Sequence, residues 1–165
     1  VVLYFFARRR GIKIIKLLDI IAPSLLVGQM LGRWGNFFNH EAYGEAVSQQ
    51  YLQDRFIPNF IIENMYIDGA YRQPTFLYES LWCFIALVIL LLIRNKLAQS
   101  EVFAAYLILY GVERFIVEGM RTDSLYLGSL RVSQVLSLVF VVGSLIYLIV
   151  LNTKYKDKKI LYRES

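Results

Sequence analysis

The chain has few of the residues that usually staple or arm a small domain. It contains one cysteine, one histidine and three prolines in 165 residues. A single Cys83 excludes an intrachain disulfide and leaves the redox compartment unread; inside an apolar run it is a small packing residue. A single His40 excludes a histidine-rich metal site. No cluster of His, Cys, Asp and Glu has the spacing of metal ligands, and no glycine-rich loop of the nucleotide-binding type is present. No serine or cysteine stands at a plausible nucleophile spacing from His40, so that histidine is not expected to be catalytic. Charge is scarce too, at 19% of residues. Internal repeats and low-complexity segments are absent.

What is abundant is apolar surface. Hydrophobic residues make up 57% of the chain, and the mean hydropathy is +0.47. Several runs approach the roughly 20 apolar residues that a bilayer crossing requires. The expected fold is an all-α integral membrane protein, a polytopic helix bundle with a small extracytoplasmic loop subdomain. Crossings are expected at about 1–6, 17–31, 76–93, 103–118 and 132–151. The opening Val1–Phe6 run precedes a basic cluster, the reverse of a signal peptide. It is expected to be the tail of a cut span, making the chain a fragment that lacks an N-terminal part.

The charges orient this bundle. Of the 18 basic residues, 12 fall in three clusters at 8–16, 94–96 and 154–163. These alternate with segments 32–75 and 119–131, so the positive-inside rule puts the clusters and the 152–165 tail in the cytoplasm. Segment 32–75 is then extracytoplasmic. The net charge of +5 sets topology and implies no nucleic-acid partner. Within the outer segment, Asp68-Gly69 can close a hairpin.

Two polar groups interrupt this pattern. Gly32 to Gly44 packs Arg33, Asn36, Asn39 and Glu41 with three glycines against the end of an apolar helix. Polar side chains at a bilayer edge are costly unless a ligand or partner satisfies them. At about 100° per residue, Tyr110, Arg114, Glu118 and Arg121 fall within roughly 80° of one another, on one helix face. Arg33 emerges at the same depth, because the 16 residues from Leu17 to Gly32 rise roughly 24 Å as a helix. Arginines from two helices at one depth can clamp one phosphate, whose oxygens match the planar guanidinium fork. Asn36 and Asn39 can bond neutral hydroxyls of the same ligand, and Glu41 can orient an arginine or take a proton. Blander readings stand beside these. Arg114 and Glu118 can merely neutralise each other, Arg33 can snorkel, and the asparagines can be turn formers. Gly28 and Gly32 are expected to let another helix pack closely. Pro23 is expected to kink its helix and Asp19 to pair with a nearby base.

The Gly-Arg-x-Gly-Asn-Phe-x-Asn-x-Glu-x-x-Gly window, complete from Gly32 to Gly44, resembles the signature of bacterial prolipoprotein diacylglyceryl transferase. Asp19-x-x-x-Pro23 with Gly28-Gln29, then Gln73 to Glu79, then Tyr110-Gly111-x-x-Arg114-Phe115-x-x-Glu118-x-x-Arg121, resemble further segments of that family. The resemblance implies a transferase of the bacterial plasma membrane that works at its outer face. It would move the diacylglyceryl group of phosphatidylglycerol onto the lipobox cysteine thiol of a prolipoprotein signal peptide. A thioether forms and glycerol 1-phosphate leaves. Arg33, Arg114, Arg121, Asn36, Asn39 and Gly44 are then the candidate phosphatidylglycerol-binding residues, and Glu41, Glu118 and Tyr110 the candidate catalytic ones. The implied partners are phosphatidylglycerol, the prolipoprotein and the lipid bilayer; no cofactor or metal is implied. The family's upstream His-Gly-Gly has no counterpart here, and His40 does not inherit its role, so the chain alone is expected to be inactive. The alternatives are a phospholipid-binding membrane module without chemistry, and an anion transporter bundle.

Overall fold

The computed structural model describes residues 2–121, 126–127, 130–154 and 160–162. Most of the basic tail and part of segment 119–131 lie outside these residues. A short helix α1 (Val2–Arg10) leads through a turn at Gly11 into α2 (Ile14–Phe38). The outer segment follows, and then α5 (Thr75–Ile93), a 3₁₀ turn (Arg94–Lys96), α6 (Glu101–Met120) and α7 (Val132–Lys154). A two-stranded ribbon, β4 (Tyr126–Leu127) with β5 (Leu130–Arg131), lies between α6 and α7.

Among the described residues, three helices are long and apolar enough to cross a membrane: Ile14–Phe38, Thr75–Lys96 and Val132–Lys154. This is a helical, multi-pass membrane fold. On α7 the burial is inverted relative to a helix of a soluble bundle. The serines Ser137 and Ser144 are buried, while Leu136, Val139, Val142 and Ile146 face outward. That is the pattern of a helix whose solvent on one side is lipid. Helix α6 has the length but carries Glu101, Glu113, Arg114 and Glu118. It turns its three glutamates inward, each at most 6% exposed, against α2, α5 and α7.

Helix α2 runs well past the expected end at residue 31. Arg33, Trp34, Asn36 and Phe37 stand on regular helix, and the backbone N–H of Asn39 caps it by donating to the Gly35 carbonyl. Tertiary packing outweighs the low helix propensity of Gly32 and Gly35. Phe37 stacks on Phe76 of α5 with centroids 4.5 Å apart, and Trp34 meets the same ring edge-on at 5.3 Å. The polar window therefore begins nearly two turns before the end of α2. The helix also continues through Pro23.

One subsidiary expectation needs correction. Asp19 pairs with backbone amides rather than with a base. Its carboxylate accepts from Ser100 N at 2.6 Å and Phe103 N at 2.9 Å, which caps the start of α6 from a different helix. Among the described residues nothing lies within 4 Å of a Cβ added at Gly28 or Gly32, so no helix of this chain is seen to pack closely there. A close approach occurs at Gly111 on α6, where an added Cβ would lie 2.7 Å from Val141 and 3.0 Å from the Ser137 carbonyl of α7.

The outer segment folds into a subdomain. Strands β1 (Ala46–Val47), β2 (Tyr66–Ile67) and β3 (Ala70–Arg72) form a sheet in the order β1-β3-β2, with helices α3 (Gln49–Gln53) and α4 (Asn59–Asn64) between β1 and β2. Asp68 and Gly69 close the β2–β3 hairpin with φ of 52° and 79°, the positive pair that a type I′ turn requires. Leu52, Ile57, Ile61, Ile62 and Met65 seat this subdomain on Phe37 and Phe76.

Candidate active site

Four helices converge below the outer subdomain, and polar contacts between them fix their register. Trp34 donates to Ser80 Oγ at 3.2 Å, and Ser80 donates to the Met30 carbonyl at 3.2 Å, which ties α2 to α5. Gln29 donates to the Tyr106 hydroxyl at 3.0 Å, tying α2 to α6. Trp82 donates to the Leu109 carbonyl at 3.0 Å and Gln134 to the Phe115 carbonyl at 3.1 Å, so α5 and α7 are both held to α6.

At the centre of this frame is Glu79, one turn into α5 and 1% exposed. Its carboxylate bridges two arginines from different helices. Arg33 Nε of α2 lies 3.0 Å from one oxygen, and Arg114 Nη1 of α6 lies 3.5 Å from the other. Arg114 Nη2 also meets Glu118 at 2.8 Å, the expected pair one helical turn on. Glu118 is itself 1% exposed, and Arg131 donates to its backbone carbonyl from the ribbon after α6. Arg114 is therefore held between two buried carboxylates. Its side chain and that of Arg33 remain 17% and 18% accessible.

That residual exposure opens into a cavity of about 320 Å³. Its charged side is Arg33, Arg114 and Arg121 with the phenol ring of Tyr110; its other side is Ser133, Leu136, Ser137 and Phe140 of α7. The volume is in the range of a small-molecule site. Three guanidiniums on one wall, with two serines, Leu136 and Phe140 on the other, suit an anion attached to a group that carries hydrocarbon. Among the described residues, no group of three or more His, Cys, Asp or Glu is placed to hold a metal ion.

Gly44 joins the two polar groups seen in the sequence. It forms an isolated antiparallel bridge with Arg121, and its N–H donates to the Gln73 carbonyl at 3.0 Å. A Cβ there would sit 2.8 Å from Gln73 Cβ, 3.1 Å from Thr75 Cγ2 and 3.2 Å from the Met120 carbonyl. Only glycine lets the end of the window pass between the start of α5 and the end of α6.

The structure thus brings together Arg33, Tyr110, Arg114, Glu118 and Arg121, with Gly44 behind them. It does not bring in all of the window. Asn39 and Glu41 are exposed beyond the end of α2, and Asn36 is partly buried with its carbonyl accepting from Glu41 N at 2.9 Å. His40 is exposed in the same turn, with φ of 54°. Glu79 was not singled out from sequence as a site residue. The available signal was its being the only charge in the apolar run from Thr75 to Ile93. Glu113, 2% exposed, is another buried carboxylate of α6 that the sequence reading left without a role. The α7 wall carried no signal, because Ser133 and Ser137 are ordinary residues in a spanning helix.

The sequence model of the family described as prolipoprotein diacylglyceryl transferase matches residues 1–150. Similar proteins include the phosphatidylglycerol–prolipoprotein diacylglyceryl transferases of Bacillus cereus (strain G9842) and Bacillus mycoides (strain KBAB4). Each is 56% identical over 146 residues, covering 88% of this chain and 54% of the relative. The chain therefore spans about half the length of the curated relatives it matches.

Proposed function

The chain belongs to the prolipoprotein diacylglyceryl transferase family, and from this premise we propose that the protein of which it forms part transfers a diacylglyceryl group from phosphatidylglycerol to the lipobox cysteine of a prolipoprotein. The observation that carries the proposal is the cavity in which Arg33, Arg114 and Arg121 share one wall. In the reaction, the cysteine sulfur forms a bond to the glyceryl carbon as that carbon's bond to the phosphate oxygen breaks. The bonding pair leaves with glycerol 1-phosphate, and the thiol proton passes to a base. Negative charge grows on the departing phosphate, where preorganised guanidiniums stabilise it most.

In this reading Arg33 and Arg114 grip the phosphate, and Arg121 completes the anion wall. Glu79 and Glu118 hold the two gripping arginines in place before the lipid arrives. Tyr110, lining the same cavity, orients the glyceryl phosphate through its hydroxyl. Leu136 and Phe140 of α7 take the first methylenes of the lipid. Asn36, Asn39 and Glu41 meet the headgroup glycerol and the incoming peptide from the outer side. Glu79 and Glu118 are committed to arginines, whereas Glu41 is exposed, which favours Glu41 among these three carboxylates as a proton acceptor. The bacterial relatives support a plasma membrane protein, and the arrangement of basic clusters supports this site at its outer face.

The test is transfer of a labelled diacylglyceryl group to a lipobox peptide by the full-length protein in membranes. Arg33→Ala and Arg114→Ala should each abolish it. Near-normal transfer by either variant would end the reading of these arginines as the phosphate grip.

A further inference from the structure

Phe56 combines two features that are each unfavourable in water. It is 93% exposed, and its backbone sits at φ of 56°, the left-handed region that a bulky residue seldom adopts. It stands at the corner between α3 and α4. The next residue, Ile57, is buried in the cluster that seats the outer subdomain on Phe37 and Phe76. Those two rings mark the outer ends of α2 and α5, so the corner adjoins the outer ends of two spanning helices. Phe60, at the start of α4, is 55% exposed, and Phe38, the last residue of α2, is 72% exposed. Beside Phe56, Arg55 folds over Tyr51, with its guanidinium carbon 3.4 Å from the ring centroid and Nη1 donating to the Tyr51 carbonyl at 3.1 Å.

We propose that the α3–α4 corner is an interfacial membrane anchor. Phe56 and Phe60 enter the boundary between headgroups and acyl chains, and Arg55 stays at the level of the lipid phosphates. Aromatic side chains concentrate at that boundary, and a cationic neighbour complements anionic headgroups. A lipid surface suits this shape better than a polypeptide does. The corner presents projecting rings rather than a groove, and neither ring lines the cavity bearing the arginines. Sites that capture a ligand are concave. The anchor would hold the subdomain against the bilayer and so fix the turn from Asn39 to Gly44 beside the end of α6. This proposal does not depend on the transfer reaction, and its failure would leave the phosphate site untouched.

The test places a tryptophan at the corner of the full-length protein in nanodiscs of phosphatidylglycerol and phosphatidylcholine. Emission added by Phe56→Trp over the parent protein is read with acyl-brominated lipids and with iodide. At an insertion depth of roughly 5–10 Å, bromine should remove most of the added emission and iodide little of it. Phe60→Trp should behave alike and serves if the first variant fails to fold. Added emission quenched by iodide and insensitive to brominated lipid would overturn the proposal. So would protection from iodide that appears only on adding a lipobox peptide, since the ridge would then belong to the polypeptide substrate.

Discussion

Glu79→Gln is the substitution that probes the site's organisation most sharply. The carboxylate meets Arg33 at 3.0 Å and Arg114 at 3.5 Å while only 1% exposed. At an effective dielectric of about 20, each contact is worth roughly 5 kcal/mol of direct attraction. Desolvation of the three ions offsets much of this, and removing one partner of a buried ion pair typically costs about 3–5 kcal/mol net. Glutamine keeps the shape and one acceptor but removes the charge, so two guanidiniums are left repelling each other beside the cavity. A displacement of about 1 Å in a positioning group lowers a rate by about 100-fold, equivalent to about 2.7 kcal/mol in the barrier. We therefore expect Glu79→Gln to reduce initial rates of diacylglyceryl transfer by about that factor and to lower the thermal aggregation temperature of the full-length protein. Glu79→Asp should not rescue it, because shortening by one methylene withdraws the carboxylate about 1.5 Å from both arginines. If Glu79→Gln transfers at nearly the parental rate with unchanged stability, Glu79 does not organise the arginines and the reasoning fails.

Other outcomes follow from the same geometry. Arg33→Lys should lose most activity, because an ammonium cannot reproduce the planar two-donor contact; full activity would reduce the requirement to charge alone. Gly44→Ala should destabilise the protein by about 1–3 kcal/mol and impair transfer, since its Cβ meets Gln73 at 2.8 Å; denaturation and transfer assays on one preparation check both. Asp19→Ala removes the carboxylate that caps α6 through Ser100 and Phe103, and should cost about 1–2 kcal/mol of stability while leaving the KM for phosphatidylglycerol nearly unchanged. His40→Gln should transfer at close to the parental rate, because the histidine is exposed outside the arginine cavity; a large loss would give it a role that this geometry does not provide.

The parts of this architecture written in local pattern were legible in the sequence. Apolar runs announced α5 and α7, and the Asp68-Gly69 pair announced the hairpin. The 3.6-residue period placed Tyr110, Arg114 and Glu118 on one face of α6. The extension of α2 to Phe38 was not legible, because the packing of Trp34 and Phe37 on Phe76 is a contact across 39 residues or more. Asp19 shows the same limit, since its partners are amides 81 and 84 residues away. Glu79 was visible as a lone charge in an apolar helix, but nothing local said which arginines it would join. The serines of α7 became part of the site only because Gly111 lets that helix approach α6 closely.

The central claim is that Arg33 and Arg114 grip a lipid phosphate in the α6–α7 cavity. A crystal structure of the full-length protein with a non-reactive ether analogue of phosphatidylglycerol tests it most directly. The account predicts the phosphate in the cavity beside Tyr110, its oxygens accepting hydrogen bonds from both guanidiniums. A phosphate bound elsewhere, with both arginines still engaged only by Glu79 and Glu118, would contradict it.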